Sequence, residues 1–200
     1  MRLIIVRHGE TEENVSGITQ GHIHGHLSKA GIAQVKKLAK ELSGEKIDAV
    51  FSSDLGRCID TTHAILRFHS SPVHYTRALR ERSYGVYEGG PHTKFREDAM
   101  AASDTPYHKL KPKGGESYVD VKRRVSRLTS RLPKRYSDKS VLLVTHGGVV
   151  RCLVSIYLEI PLIRASQIPT PKNAGMLVLD VSGVRTRVVK NTLVNLPRST

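Results

Sequence analysis

The sequence predicts an α/β fold, a three-layer α/β/α sandwich whose central sheet is mostly parallel and carries an antiparallel edge strand. Short apolar runs at Leu3–Val6, Ile47–Phe51 and Val141–Val144 lack polar alternation, the pattern of strands buried on both faces of a parallel sheet. Between them lie segments with the spacing of amphipathic helices, and such alternation layers helices onto both faces of one sheet. Near the C-terminus, Met176–Val181 and Val184–Val189 flank Ser182-Gly183, a hairpin pattern that adds at least one antiparallel strand.

Taken in order, the first strand ends at Arg7-His8-Gly9, and a polar loop follows to Leu27 with Asn14, Gln20, Gly21 and the alternating His22, His24 and His26. Three alternate histidines could face one side and hold a metal, but no carboxylate or cysteine ligand accompanies them, so no metal site is assigned. Ser28 caps a helix to Leu42 with Ile32, Val35, Leu38, Ala39 and Leu42 on its apolar face. The strand from Ile47 ends at Ser52-Ser53-Asp54, and a helix from Leu55 to Phe68 buries Ile59, Ala64, Ile65 and Phe68. Arg57 in its first turn sits at the end that disfavours cations, which suggests a task for it beyond a surface pairing with Asp60. Val73–Tyr75 is a short third strand, and Arg77–Gly90 reads as a charged, glycine-rich loop. Residues 91–113 read as a lid or insertion with a short helix over Thr93–Ala102. Ser117–Leu132 is helical, as is Val149–Leu158, which Pro161 closes.

With 38% hydrophobic residues in a chain of 200, residues 1–200 suit a single domain with ample core. No run reaches membrane-span length, the N-terminal apolar segment is too short for a signal peptide, and Cys58 and Cys152 lack metal-ligand spacing. A cytoplasmic protein without membrane contact is therefore expected. The net charge is +14, and between Lys109 and Arg135 ten Lys/Arg face two acids, Glu116 and Asp120. Such a field attracts anions of any kind, but no nucleic-acid module accompanies it, so it reads as a solvated helix face.

If the strands beginning at Leu3, Ile47 and Val141 are parallel neighbours, their C-terminal ends bring Arg7, His8, Ser53, Arg57 and His146 to one edge, where α/β sheets bind ligands. Arginine forks and histidines suit a tetrahedral dianion. One histidine could also act as a nucleophile, and phosphoryl transfer at such a site needs no metal in principle. An acid for the leaving oxygen is offered by Glu81 or Glu88.

Four blocks in this order, Arg7-His8-Gly9-Glu10-Thr11 with Asn14, Ser53-Asp54-Leu55-Gly56-Arg57, Leu79-Arg80-Glu81 with Tyr84–Gly89, and Thr145-His146-Gly147-Gly148, resemble the signatures of the histidine phosphatase superfamily, the phosphoglycerate mutase-like group. The resemblance implies that His8 is the phosphorylated nucleophile and that Arg7, Arg57 and His146 bind the transferring group. It implies Glu81 as acid and base, and Asn14, Gln20, Gly21 and Gly147 as substrate-side positions, with Glu88 as structural support. His22–Ser28 departs from the family's usual loop and keeps only Leu27-Ser28.

Within the family, a site of this kind passes the phosphoryl group either to water or to a second hydroxyl. Val86-Tyr87-Glu88-Gly89 resembles the broad-specificity phosphatases, whereas Glu81-Arg82-Ser83-Tyr84-Gly85 resembles cofactor-dependent phosphoglycerate mutases, in which Arg82 and Tyr84 would bind a substrate carboxylate. The favoured reading is a metal-independent phosphatase of small phosphorylated metabolites with no cofactor. The alternative is a mutase using 2,3-bisphosphoglycerate, and a remote third is a non-catalytic anion or nucleic-acid binder. The oligomeric state stays open, a homodimer being one expectation.

Overall fold

The computed structural model describes residues 1–102, 104–182 and 185–196. In chain order they form β1 (Arg2–Arg7), α1 (Glu12–Val15), α2 (Lys29–Leu42), β2 (Ala49–Ser52), α3 (Gly56–Leu66), β3 (Val73–Tyr75), α4 (Lys94–Ala102) and α5 (Tyr118–Thr129). There follow α6 (Leu132–Arg135), β4 (Ser140–Thr145), α7 (Gly147–Tyr157), α8 (Leu162–Ala165), β5 (Met176–Val181) and β6 (Thr186–Asn191). Single 3₁₀ turns lie at Arg77–Leu79 and Gly85–Tyr87.

One six-stranded sheet runs in the order β3-β2-β4-β1-β5-β6. The first four strands are parallel, with Arg2 opposite Ser140 and Arg7 opposite Thr145, so β1 and β4 end side by side. The expected antiparallel edge is a hairpin whose inner strand, β5, runs against both β1 and β6. Of the Ser182-Gly183 turn and the run from Val184, residues 183 and 184 lie outside the described residues.

Alternation along each strand divides the core. Leu3, Ile5, Val141 and Leu143 face α5 and α7, whereas Ile4, Val6, Leu142 and Val144 face α2 and α3. All eight are fully buried, each worth roughly 1.5–3 kcal/mol of hydrophobic transfer. Two expected core residues, Ile32 and Phe68, are exposed instead. Gly31 takes the inner position beside Ile32, because the Glu10 carbonyl of the first loop packs there and leaves no room for a Cβ.

The expected Ser117–Leu132 helix stops at Thr129. Pro133 cannot donate to the Thr129 carbonyl and its ring would clash there, so the chain restarts as the short α6. Conversely, α7 begins two residues before the expected Val149, because His146 is extended and its carbonyl accepts from Val150 N–H to open the helix. Within 91–113, Phe95 of α4 is buried against Tyr84, Tyr87 and Tyr107.

Candidate active site

β1 and β4 each deliver a histidine one residue past their last strand residue, and the pairing of Arg7 with Thr145 sets His8 and His146 side by side. Their ring centroids are 5.2 Å apart. His8 is buried, with Nδ1 2.7 Å from the Gly9 carbonyl. A carbonyl only accepts, so Nδ1 carries the proton and Nε2 keeps its lone pair. Burial, reinforced by the Arg57 and Arg7 cations, holds His8 well below its ordinary pKa, so the ring is neutral at neutral pH.

Arg7 leads the same rim. One guanidinium nitrogen, Nη1, donates to the Pro171 carbonyl, while Nε is buried without a hydrogen-bond partner. Burial brings its pKa down to about 10, which leaves it a cation at neutral pH. Gly147 lies against it, since a Cβ there would sit 3.8 Å from Nε.

Arg57 is buried in the first turn of α3 and makes no surface pair with Asp60 among the described residues. Its Nη2 donates to the Gly21 carbonyl at 2.9 Å, Nη1 to the carbonyls of Ile23 and His24, and Nε to His146 Nδ1 at 3.2 Å. Arg57 thereby fastens the loop after β1 to the second histidine, and Gly21 supplies the left-handed bend with φ of 48°. With Nδ1 accepting, His146 Nε2 holds the proton and donates to Ser53 Oγ at 2.8 Å. Burial, then the Arg57 cation, keeps His146 neutral as well.

Glu81 reaches the site from the loop after the first 3₁₀ turn. Its Oε1 accepts from the Arg82 N–H at 2.8 Å, and both carboxylate oxygens lie 3.1 Å from the Gly148 N–H in the first turn of α7. The positive end of a helix thus holds the carboxylate. Its carbonyl accepts from Arg124 Nη2 and pairs with His22 Nε2, both at 2.9 Å.

Other sequence-expected positions divide. Asn14 closes the capping box of α1, and its Oδ1 accepts from Asn173 Nδ2, which also donates to the His8 carbonyl. Gln20 is buried beside Gly25 with Oε1 unpartnered. Glu88 accepts from Ser83 Oγ and Tyr84 N–H, a supporting role. Arg82 corrects the expectation of a carboxylate binder: its guanidinium is fully buried and donates to the carbonyls of Glu116 and Leu110, and Tyr84 packs against it. The three loop histidines diverge, because His22 turns to Glu81 and His24 Nδ1 accepts from Gly56 N–H while His26 is exposed. Among the described residues no group of three His, Cys, Asp or Glu could hold a metal. Cys58 is buried 3.4 Å from His146 Nε2, and burial pushes its thiol up to about 12, so it is not a thiolate.

A family model described as histidine phosphatase superfamily, branch 1, matches residues 3–193. The chain belongs to this superfamily. Adenosylcobalamin/alpha-ribazole phosphatase of Salmonella typhimurium is 37% identical over 80% of this chain and 81% of its own, and a broad-specificity phosphatase of Saccharomyces cerevisiae is 36% identical over 77% and 69%. The solved structure of a mycobacterial glucosyl-3-phosphoglycerate phosphatase complexed with VO3 superposes with a TM-score of 0.84 at 29% identity, covering 94% of this chain and 97% of its own. This histidine phosphatase is accordingly a phosphatase in a fold of the phosphoglycerate mutase-like type. No described helix is long and apolar enough to cross a membrane.

Two residues near the site of this histidine phosphatase lie outside every sequence motif. Asn173 lies in the irregular stretch before β5, far from any motif, and becomes a neighbour of His8 because β5 pairs with β1. Arg151 follows from helical spacing: three residues past Gly148, it shares that face of α7, donating to Tyr118 Oη and the Ile168 carbonyl.

Proposed function

We propose that the protein hydrolyses small phosphomonoesters through a covalent phosphohistidine on His8, without a metal or cofactor. The observation that carries this reading is the Nδ1 contact to the Gly9 carbonyl, which leaves Nε2 of a neutral His8 as a nucleophile beside the unpartnered Nε of Arg7. Arg7 supplies the charge that balances the transferring phosphoryl oxygens, with Arg57 and His146 behind it.

In the first step the Nε2 lone pair bonds to phosphorus as the P–O ester bond breaks. The carboxyl of Glu81 gives its proton to the leaving alkoxide. A water then attacks phospho-His8, Glu81 takes its proton, the N–P bond breaks and phosphate leaves. General acid–base help of this kind contributes typically about 10²- to 10⁴-fold. The enzyme works in the cytoplasm on a free small phosphoester. The mutase alternative is not favoured, since the Arg82 guanidinium is fully buried, with Nε and Nη2 committed to the Glu116 and Leu110 carbonyls, and is closed off from a substrate carboxylate.

Incubation with a labelled phosphomonoester should leave acid-labile, base-stable label on the wild type, and turnover should persist in EDTA. His8→Ala should lose both label and turnover; turnover that survives it removes the mechanism. A panel of phosphomonoesters including alpha-ribazole phosphate, glucosyl-3-phosphoglycerate and phosphoserine, substrates suggested by the relatives' names, ranks the leaving groups. Interconversion of 3- and 2-phosphoglycerate stimulated by 2,3-bisphosphoglycerate would establish the mutase instead.

A further inference from the structure

Arg82, once released from substrate binding, needs another account. It is fully buried and makes no ion pair among the described residues, since Glu116, the adjacent acid, gives its carboxylate to Arg124 and the Ser83 N–H. Its Nε donates to the Glu116 carbonyl at 2.7 Å and its Nη2 to the Leu110 carbonyl at 2.8 Å, while Nη1 has no hydrogen-bond partner. Four rings surround the cation instead, with Cζ 4.8 Å from the centroids of Phe95 and Tyr118, 5.0 Å from Tyr84 and 5.4 Å from Tyr107. Ring faces offset part of the cost of burying a guanidinium without a counterion.

The cage joins distant parts of the chain to one peptide group. Phe95 belongs to α4, Tyr107 to the turn beyond it and Tyr118 to α5, whose ring lies 3.5 Å from where a Gly148 Cβ would be. The backbone N–H of Arg82 meets the Glu81 carboxylate at 2.8 Å, beside the Gly148 N–H on the other flank.

We propose that Arg82 is a positioning residue for Glu81. Its caged guanidinium fixes the peptide that aims the carboxyl at the leaving oxygen, and ties that aim to the packing of α4 and the Tyr107 turn. The inference rests on Glu81 being the proton donor. A hydrocarbon of similar size could fill the cage, but it would leave the peptide unanchored, and small misplacements of reacting groups cost large factors in rate.

Leaving groups make the role measurable. An alkoxide must be protonated as it departs, whereas p-nitrophenolate needs little help, so a misplaced acid harms alkyl esters selectively. The experiment is single-turnover phosphorylation of His8 by glycerol phosphate and by p-nitrophenyl phosphate, in the wild type and in Glu81→Gln, Arg82→Met, Arg82→Lys and Phe95→Leu. Glu81→Gln should slow the alkyl ester by roughly 10²- to 10⁴-fold and the aryl ester far less. Arg82→Met should reproduce that selectivity with a loss on the alkyl ester of roughly 10- to 100-fold. Arg82→Lys, which keeps a cation among the rings but loses the fork, should fall between, and Phe95→Leu should show a smaller loss of the same sign. Equal losses on both esters in the Arg82 variants, beside a selective Glu81→Gln, would overturn the positioning role and leave Glu81 the acid. If Glu81→Gln is itself unselective, the acid assignment falls first. Should Arg82→Met fail to fold, the comparison stands on Arg82→Lys and Phe95→Leu, and unselective losses there overturn it equally.

Discussion

At the level of single residues, the site depends on groups whose protonation is set by burial. His8 and His146 are both held well below the ordinary histidine value, chiefly by desolvation and then by the Arg57 cation. In the unfolded chain each binds a proton near pH 6.5, so their neutral forms add stability above that pH and the contribution is lost as pH falls below it. The slope is up to about 1.4 kcal/mol per pH unit for each histidine. Melting temperatures should be flat between pH 7 and 8 and drop below about 6.5, a window above that of Asp54 and Asp120, whose depressed values act only at lower pH. A melt unchanged down to pH 5 would contradict this. Gly148 gives a second, sharper expectation. A Cβ there would lie 2.3 Å from Glu81 Oε1, so Gly148→Ala must displace the carboxylate, although alanine favours the helix by about 1 kcal/mol. The variant should melt no lower than the wild type and yet hydrolyse alkyl phosphates at least roughly 10-fold more slowly. Unchanged turnover would remove Glu81 from the chemistry. His8, Arg7, Arg57, Glu81 and His146 were singled out because short motifs carry them, whereas Arg82 has the same motif context and lies fully buried among aromatic rings. Nothing in the spacing of Arg82 announces four aromatic rings drawn from across residues 84–118.

At the level of elements, helix ends do most of the positioning. The first turn of α7 holds Glu81, the first turn of α3 carries Arg57, and α5 brings Tyr118 and Arg124 against the Glu81 loop. α5 starts with a full capping box, in which Ser117 accepts from Asp120 N–H and the Asp120 side chain accepts from Ser117 N–H. Ser117→Ala should cost about 1 kcal/mol. For a chain of this size that lowers the melting temperature by roughly 2–4 °C. A thermal melt checks it, and no shift would show that Asp120 alone suffices as the cap. Strand and helix types were readable from apolar periodicity, and Val73–Tyr75 lies where it was expected. Boundaries were less readable, because they depend on partners outside the element: Pro133 ends α5 through a carbonyl one turn back, and His146 begins α7 two residues early through its extended backbone.

For the whole molecule, the net charge is +14, and the proposed substrate is a dianion. Exposed Arg77, Arg127 and Arg131 have no ion-pair partner among the described residues, so the field extends into solvent. Raising ionic strength from about 0.01 to 0.5 M shortens the screening length several-fold and should lower kcat/KM for a dianionic ester with little change in kcat. A flat kcat/KM would mean that the basic face is only solvated surface. The buried, parallel character of β1, β2 and β4 was implicit in the sequence, since unalternated apolar strands ending in polar residues suit a parallel sheet with their ends on one edge, whereas the strand order was set by the pairing itself. The antiparallel hairpin was readable, but the pairing of β5 with β1 and the arrival of Asn173 beside His8 came from long-range contacts, which local periodicity does not encode. Residue types and spacing alone were enough to single out two histidines, two arginines and a glutamate as candidates for one sheet edge, because their chemistry is intrinsic to the side chains. Folding assigned what is relational: the proton on His8 Nδ1, the neutral ring of His146, the helix end beneath Glu81 and the aromatic cage around Arg82. Each of these depends on burial and on a partner supplied from another part of the chain.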